Sequence, residues 1–289
     1  MDFATRIENA LLAAIEPGES AGCPPGLAAA IRYAVFPGGA RVRPRLCLAV
    51  ASACGDPHPR IADAAAASIE LLHCASLMHD DLPCFDDATT RRGKPAVHRT
   101  FGERLAVLGG DAMIVLAFES LADACGEAPE RLPLLLKIIG RSVGTSGGIV
   151  AGQAWECEPR ASLTQYQQAK TGSLFAAATM AGAAAVGEAD SEAWRALGEK
   201  IGEAYQVADD ILDVTASASE IGKPVGRDAA LGRPSVVALL GLDGAIASLK
   251  RLVAEATDSI PAIPAADALR AVIFAQAQGL LPRDLRQAA

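Results

Sequence analysis

Residues 71–87 read LLHCASLMHDDLPCFDD, an apolar, helix-like run that closes on four aspartates within eight positions, Asp80, Asp81, Asp86 and Asp87. Two carboxylates about 4 Å apart repel by roughly 4 kcal/mol at an effective dielectric near 20, so positive charge has to stand beside them. His73 precedes Asp80 by seven residues, which puts both on one face of a helix, two turns apart. Pro83 should end that helix and let Asp86 fold back toward it.

Outward from this stretch the chain keeps the same character. Of 289 residues, 51% are apolar and only 4% aromatic, alanine is abundant, and alternating β-branched runs are scarce. The expected fold class is all-α. Pro and Gly punctuation at Pro17-Gly18, Pro24-Pro25, Pro37-Gly38-Gly39, Gly55-Asp56-Pro57, Gly126 to Pro129 and Gly222 to Pro234 leaves long helical stretches between. Those at Arg60 to Asp81, Glu103 to Ala124, Leu163 to Val186 and Glu192 to Val214 each exceed the usual length of about 11 or 12 residues. With no hairpin signal, linker or repeat of fixed period, residues 1–289 are expected to form a single domain, one large helical bundle with ligand groups on facing helices.

Several function classes are disfavoured. A net charge of −8 argues against a nucleic-acid partner. The longest uncharged window, Thr171 to Gly187, is seventeen residues and contains three glycines, short of the roughly 20 apolar residues of a membrane span. It reads as a buried core helix. The start, MDFATRIENALLAAI, lacks a basic region and cleavage site, so a cytoplasmic protein without a signal peptide is expected. Seven cysteines with no CxxC pair argue against a disulfide framework and a zinc site, and most are expected to be small core residues.

A second acidic cluster lies in QVADDILDV, residues 206–214. Gln206, Asp209, Asp210 and Asp213 sit at i, i+3, i+4 and i+7, one stripe among apolar neighbours. Carboxylate oxygens without soft ligands suit magnesium, which usually joins one or two carboxylates to substrate phosphates. The basic residues also cluster: Arg41 and Arg43 in GGARVRP, Arg91 and Arg92 in TTRRGKP, Lys170 in KTG, then Lys223, Arg227 and Arg233. Arginine forks match phosphate oxygens, so acids plus arginines read as metal-bridged diphosphate on one side and a directly held anion on the other.

These motifs resemble the trans-isoprenyl diphosphate synthases, the polyprenyl synthetase family: GGxRxRP at Gly38 to Pro44, HDDLPCFDDxxxRRGKPxxH at His79 to His98, AGQ at Ala151 to Gln153, KTG at Lys170 to Gly172, and QVADDILD with GKPxGxD between Gln206 and Asp228. The resemblance implies a bundle of antiparallel helices around a central cavity, and a homodimer. It implies that Asp80, Asp81, Asp86, Asp209 and Asp213 bind several magnesium ions, or manganese in their place, that grip an allylic diphosphate. Arg91, Lys170 and Lys223 would hold the same group, with Thr171 and Gln206 facing the allylic carbon. Arg43, His73 and Arg92 match the pocket for isopentenyl diphosphate, to which Arg41 and Arg233 add charge. Where the family carries a lysine that contacts isopentenyl diphosphate, this chain has Ala40.

Product length in the family is set by bulk one turn before the first acidic motif. Here Ala75 and Ser76 leave that place open, and the Pro83-Cys84 insertion resembles bacterial and plastid short-chain enzymes; together they imply a twenty-carbon, geranylgeranyl product, and GGARVRP and CASLMHDDLPCFDD look like the enzymes that feed carotenoid and bacteriochlorophyll pathways. A farnesyl-producing enzyme and, because of Ala40, a non-catalytic subunit of a heteromeric synthase are the alternatives. A di-iron bundle needs two ExxH motifs and the chain offers one, Glu70-x-x-His73. A terpene cyclase shares the aspartate-rich site, but the GGxRxRP, RRG and KTG features imply a second diphosphate ligand.

Overall fold

The alanine-rich window at 171–187 becomes the centre of the molecule. A computed structural model describes residues 2–158, 163–215 and 235–280. Its helices are α1 (Phe3–Ile15), α2 (Pro25–Val35), α3 (Val42–Ala53), α4 (Pro59–Asp80), α5 (Val97–Phe101), α6 (Glu103–Ala124), α7 (Leu132–Val143), α8 (Ile149–Trp155), α9 (Leu163–Gln167), α10 (Ser173–Val186), α11 (Arg195–Thr215), α12 (Val236–Asp258, kinked at Gly241) and α13 (Ala266–Leu280). Every residue of α10 from Leu174 to Val186 is buried. It packs against α3, α4, α7 and α11, while α4 lies along α6 and α11 along α12.

Small side chains let these backbones approach closely. A Cβ on Gly182 of α10 would lie 2.4 Å from the Cys47 carbonyl oxygen of α3, and one on Gly198 of α11 would lie 2.4 Å from the Phe175 carbonyl oxygen of α10. Neither helix could come so near with alanine in the same place. Larger residues fill the rest of the core, with Trp194, Phe175, Ile7, Leu11 and Met113 almost wholly enclosed.

The expected helix at Leu163 to Val186 is divided. A π-helical turn at Gln168–Gly172 separates α9 from α10 and carries the KTG motif. Such turns are rare, and many mark functional sites because the widened turn redirects side chains. A second departure is a small antiparallel hairpin, β1 (Thr90–Arg91) with β2 (Lys94–Pro95), pairing Thr90 with Pro95 and Arg91 with Lys94. Its turn residues Arg92 and Gly93 both have positive φ, 53° and 74°. That matches the backbone of a type I′ hairpin turn, in which an X-Gly pair is the sequence signal.

Among the described residues, two helices are long and apolar enough to cross a membrane by length and composition, Pro59–Asp80 and Glu103–Glu127. The first has 78% of its apolar window buried inside the bundle, the second 39%. Of the seven cysteines expected to lie mostly in the core, Cys47, Cys74 and Cys125 are buried, Cys23 and Cys54 are half-buried, and Cys84 and Cys157 are exposed.

Candidate active site

Helix α4 ends at Asp80, and the chain then folds back as the proline predicts: the Asp86 amide donates to the Asp80 carbonyl at 2.9 Å and the Ala88 amide to the Asp81 carbonyl at 3.1 Å. Asp80 and Asp81 are both buried, at 8% and 2% exposure. Each carboxylate has a cation beside it. Arg91 Nε donates to Asp81 Oδ1 at 3.0 Å and to Oδ2 at 3.2 Å. Burial pushes the Asp81 carboxyl above its usual range, and Arg91 works against that rise. Both oxygens of Asp81, expected among the metal ligands, accept from Arg91, so this acid also fixes that guanidinium at the mouth of the site.

Asp80 accepts from the Gln153 amide and lies 3.5 Å from Lys170 Nζ, which donates to Glu156 at 2.8 Å. Burial alone would lower the Lys170 pKa, but Asp80 and Glu156 outweigh it and hold the ammonium above its ordinary value. The π turn places this lysine. Gly152 of α8 sits against it so closely that a Cβ there would be 2.6 Å from the Lys170 Cα. The same turn packs on α11, with Gly172 against Gly202.

On α11 the aspartate stripe divides by role. Asp209 and Asp213 are half-buried, whereas Asp210 is buried and accepts from the Val236 amide at 2.7 Å and the Gln206 amide at 3.2 Å. Asp210 therefore anchors the first turn of α12 through its carboxylate. Lys223, Arg227 and Arg233 lie outside the described residues.

A separate cationic pocket lies deeper along α4. Arg43 is 8% exposed, its guanidinium stacked 4.3 Å from the Phe175 ring centroid and 5.7 Å from that of Tyr205, and its Nε has no hydrogen-bond partner among the described residues. His73, from α4, has its pKa held well below the ordinary value by burial and by Arg43, Arg92, Arg91 and Arg41. Arg92 reaches in from the hairpin turn and donates to the Ala34 carbonyl at 3.4 Å. Arg41 does not join them as a ligand for substrate. Its guanidinium turns into the core, where Nε donates to Glu8 at 2.9 Å, Nη1 to Glu70 at 2.8 Å and Nη2 to the Val35 carbonyl at 2.8 Å. The expectation that it binds substrate is corrected: its donors are committed to groups of the protein.

The oxygen donors suit a hard divalent ion, but not a closed cage. Among the described residues no group of three His, Cys, Asp or Glu side chains is placed to hold an ion alone. Carboxylates split between two helices fit an ion that completes its shell with water and substrate oxygens.

Residues 24–271 match the family model described as polyprenyl synthetase. The chain belongs to the polyprenyl synthetase family. It is 49% identical to the geranylgeranyl diphosphate synthase of Cereibacter sphaeroides over 282 residues, 98% of each chain, and 50% identical to that of Rhodobacter capsulatus over 264 residues, 91% of each. Its fold is similar to the geranyltransferase of Helicobacter pylori complexed with magnesium and isoprenyl diphosphate, with a TM-score of 0.76 and 32% identity over 96% of this chain and 97% of that one.

Among polyprenyl synthetase motifs, AGQ was matched without a role for its glutamine, which the structure places on Asp80. Glu156 has no motif to announce it. Glu70 carries a signal of another kind, a carboxylate set in the apolar run Ile69-Glu70-Leu71-Leu72 of α4.

Because the folded state holds His73 neutral while the unfolded chain protonates near pH 6.5, the unfolded state binds more protons below that value. Stability contributed by this site is therefore present above about pH 6.5 and lost as pH falls below it. In the free protein the His73 ring signal should not titrate through the neutral range in an NMR series; titration near pH 6.5 would contradict the burial argument.

Proposed function

We propose that this chain is a magnesium-dependent prenyltransferase that condenses isopentenyl diphosphate with dimethylallyl, geranyl and farnesyl diphosphates to make geranylgeranyl diphosphate. The observation that carries this reading is the pair of distinct anion sites: an acidic turn with Lys170 and Arg91 beside it, and a second pocket of Arg43, His73 and Arg92 further along α4. A reaction joining two diphosphate substrates requires both. The names of the two relatives, about half identical over nearly their whole length, support the same product.

Asp80 and Asp86 from the first cluster and Asp209 and Asp213 from the second would hold the magnesium ions. When bound, magnesium neutralises diphosphate oxygens and makes the group a better leaving group. Lys170 and Arg91 bind the same diphosphate, and their fixed positive charge favours the transition state in which its negative charge grows. Thr171 and Gln206 face the allylic carbon. Arg43, Arg92 and the neutral His73 orient the second substrate so that its double bond meets the allylic cation, and burial of this pocket excludes water from that cation. The departing diphosphate is the proton acceptor at the end, because no motif Glu or His is placed as a dedicated base.

Ala75 is 1% exposed and lies five residues before Asp80, roughly 7.5 Å along the helix axis. Ser76 donates to the His73 carbonyl at 2.8 Å. We read these small side chains as the floor that admits a further isoprene unit. The exposed face of α6, with Val107, Leu108, Ile114 and Val115 at 41%, 52%, 37% and 56% exposure, is read as the seat of a second copy in a cytoplasmic homodimer.

The purified chain, given isopentenyl diphosphate, each allylic primer and magnesium, should release geranylgeranyl diphosphate, and Asp80→Ala should lower turnover roughly 100-fold or more. Normal turnover in that variant would refute the metal assignment. Ala75→Tyr should shorten the product by at least one isoprene unit on a chromatogram; an unchanged product profile would sink the floor assignment. Sedimentation should give twice the chain mass, and a monomer would remove α6 as an interface.

A further inference from the structure

The Glu70-x-x-His73 motif finds no use in metal binding, yet Glu70 is one of the most enclosed charged groups in the protein, at 2% exposure. Its carboxylate collects two arginines from two separate loops. Arg41 Nη1 donates to Glu70 Oε1 at 2.8 Å, and Arg92 Nη2 lies 3.5 Å from the same oxygen. Both arginines have left-handed backbones, with φ of 51° and 53°. For a non-glycine residue that conformation costs on the order of 1–3 kcal/mol and persists only where surrounding contacts over-determine it. The contact these two strained residues share is Glu70.

The adjacent glycines fit the same arrangement. A Cβ on Gly38 would lie 2.2 Å from the Arg41 guanidinium carbon, and one on Gly39 would lie 3.1 Å from Arg92 Nε. Each glycine thus clears the path of one arginine toward the carboxylate. GGARVRP and TTRRGKP, which look like independent phosphate-binding motifs, are joined through one buried acid on α4.

The need for that acid follows from charge. Arg41, Arg43 and Arg92 converge beside His73, and without a counter-charge they would repel one another whenever no anionic ligand is bound. We propose that Glu70 is a positioning residue of the prenyl transfer: it holds the Arg92 guanidinium in its ligand-ready place in the second diphosphate pocket before the substrate arrives. Glu70 itself touches no substrate. The inference rests on reading Arg43, His73 and Arg92 as the isopentenyl diphosphate pocket.

The test is steady-state kinetics with each substrate varied in turn. In Glu70→Gln, which removes the charge paired with Arg92 at 3.5 Å, the KM for isopentenyl diphosphate should rise about tenfold, while kcat and the KM for farnesyl diphosphate stay near wild type. Unchanged KM for isopentenyl diphosphate in a cooperatively melting variant would overturn the proposal. So would an equal loss on both substrates, which indicates general damage. If the unpaired Arg41 prevents folding, Glu70→Gln with Arg41→Gln removes both buried charges together; the isopentenyl KM must still be raised, and a wild-type KM overturns the proposal.

Action through Arg92 is checked by a cycle. Glu70→Gln should add nothing to the KM of Arg92→Gln, and additive effects would overturn the proposal. If Arg92→Gln itself leaves that KM unchanged, the pocket reading fails and the proposal with it. If Arg92→Gln raises it while Glu70→Gln does not, the proposal alone fails.

Discussion

Carboxylates at the end of a buried helix repel one another, and the arrangement of the whole site answers that repulsion. Asp81 is held by Arg91 and Asp80 stands beside Lys170, 3.5 Å away. The two cations come from unrelated parts of the chain, the hairpin after the acidic turn and the π turn before α10. Each buried acid thus has a positive charge beside it, supplied from a different part of the chain. Removing Arg91 would leave the buried Asp81 carboxylate without its counter-charge, a condition that costs about 3–5 kcal/mol in comparable pairs.

Close backbone approach is what makes such pairing geometrically available. An α10 built from alanine, glycine and a few larger residues lets α3, α4 and α11 come within reach of each other's functional groups. The glycine contacts at Gly182 and Gly198 show how little space remains, and Gly152 does the same for α8 against the lysine of the π turn. The apolar helix at the centre carries no chemistry of its own; it sets how far apart the charged groups on its neighbours can be.

Much of this was legible in the chain. The limits of α4 and α6 follow from proline, glycine and hydrophobic content, and the backward fold of Asp86 follows from Pro83. What escaped is what depends on partners distant in sequence. Arg41 and Arg43 share one motif, but Arg41 turns inward because Glu8 and Glu70, from other helices, accept its donors. Asp209 and Asp210 are consecutive, and one becomes an anchor for α12 because Val236 lies over it. The hairpin was missed because its strands are only two residues each, too short for alternation to register, and its signal was an Arg-Gly pair within a basic run. Side-chain direction is decided by tertiary neighbours, and spacing alone cannot carry it.

The same reasoning bears on Ala40, the position where related motifs carry a lysine. Arg41 cannot replace it, since Glu8, Glu70 and the Val35 carbonyl take its donors. Arg43 and Arg92 stand beside His73 with Arg41 already occupied. Arg43 Nε is buried without a partner among the described residues, and an unsatisfied buried donor costs about 1–3 kcal/mol. A phosphate oxygen that satisfies it recovers this energy on binding. A lysine at an exposed position would act through solvent, whereas Arg43, 8% exposed and stacked on Phe175, acts in a low-dielectric setting where each charge counts for more. On the proposed reading of this pocket, the buried arginine supplies the charge that the alanine lacks.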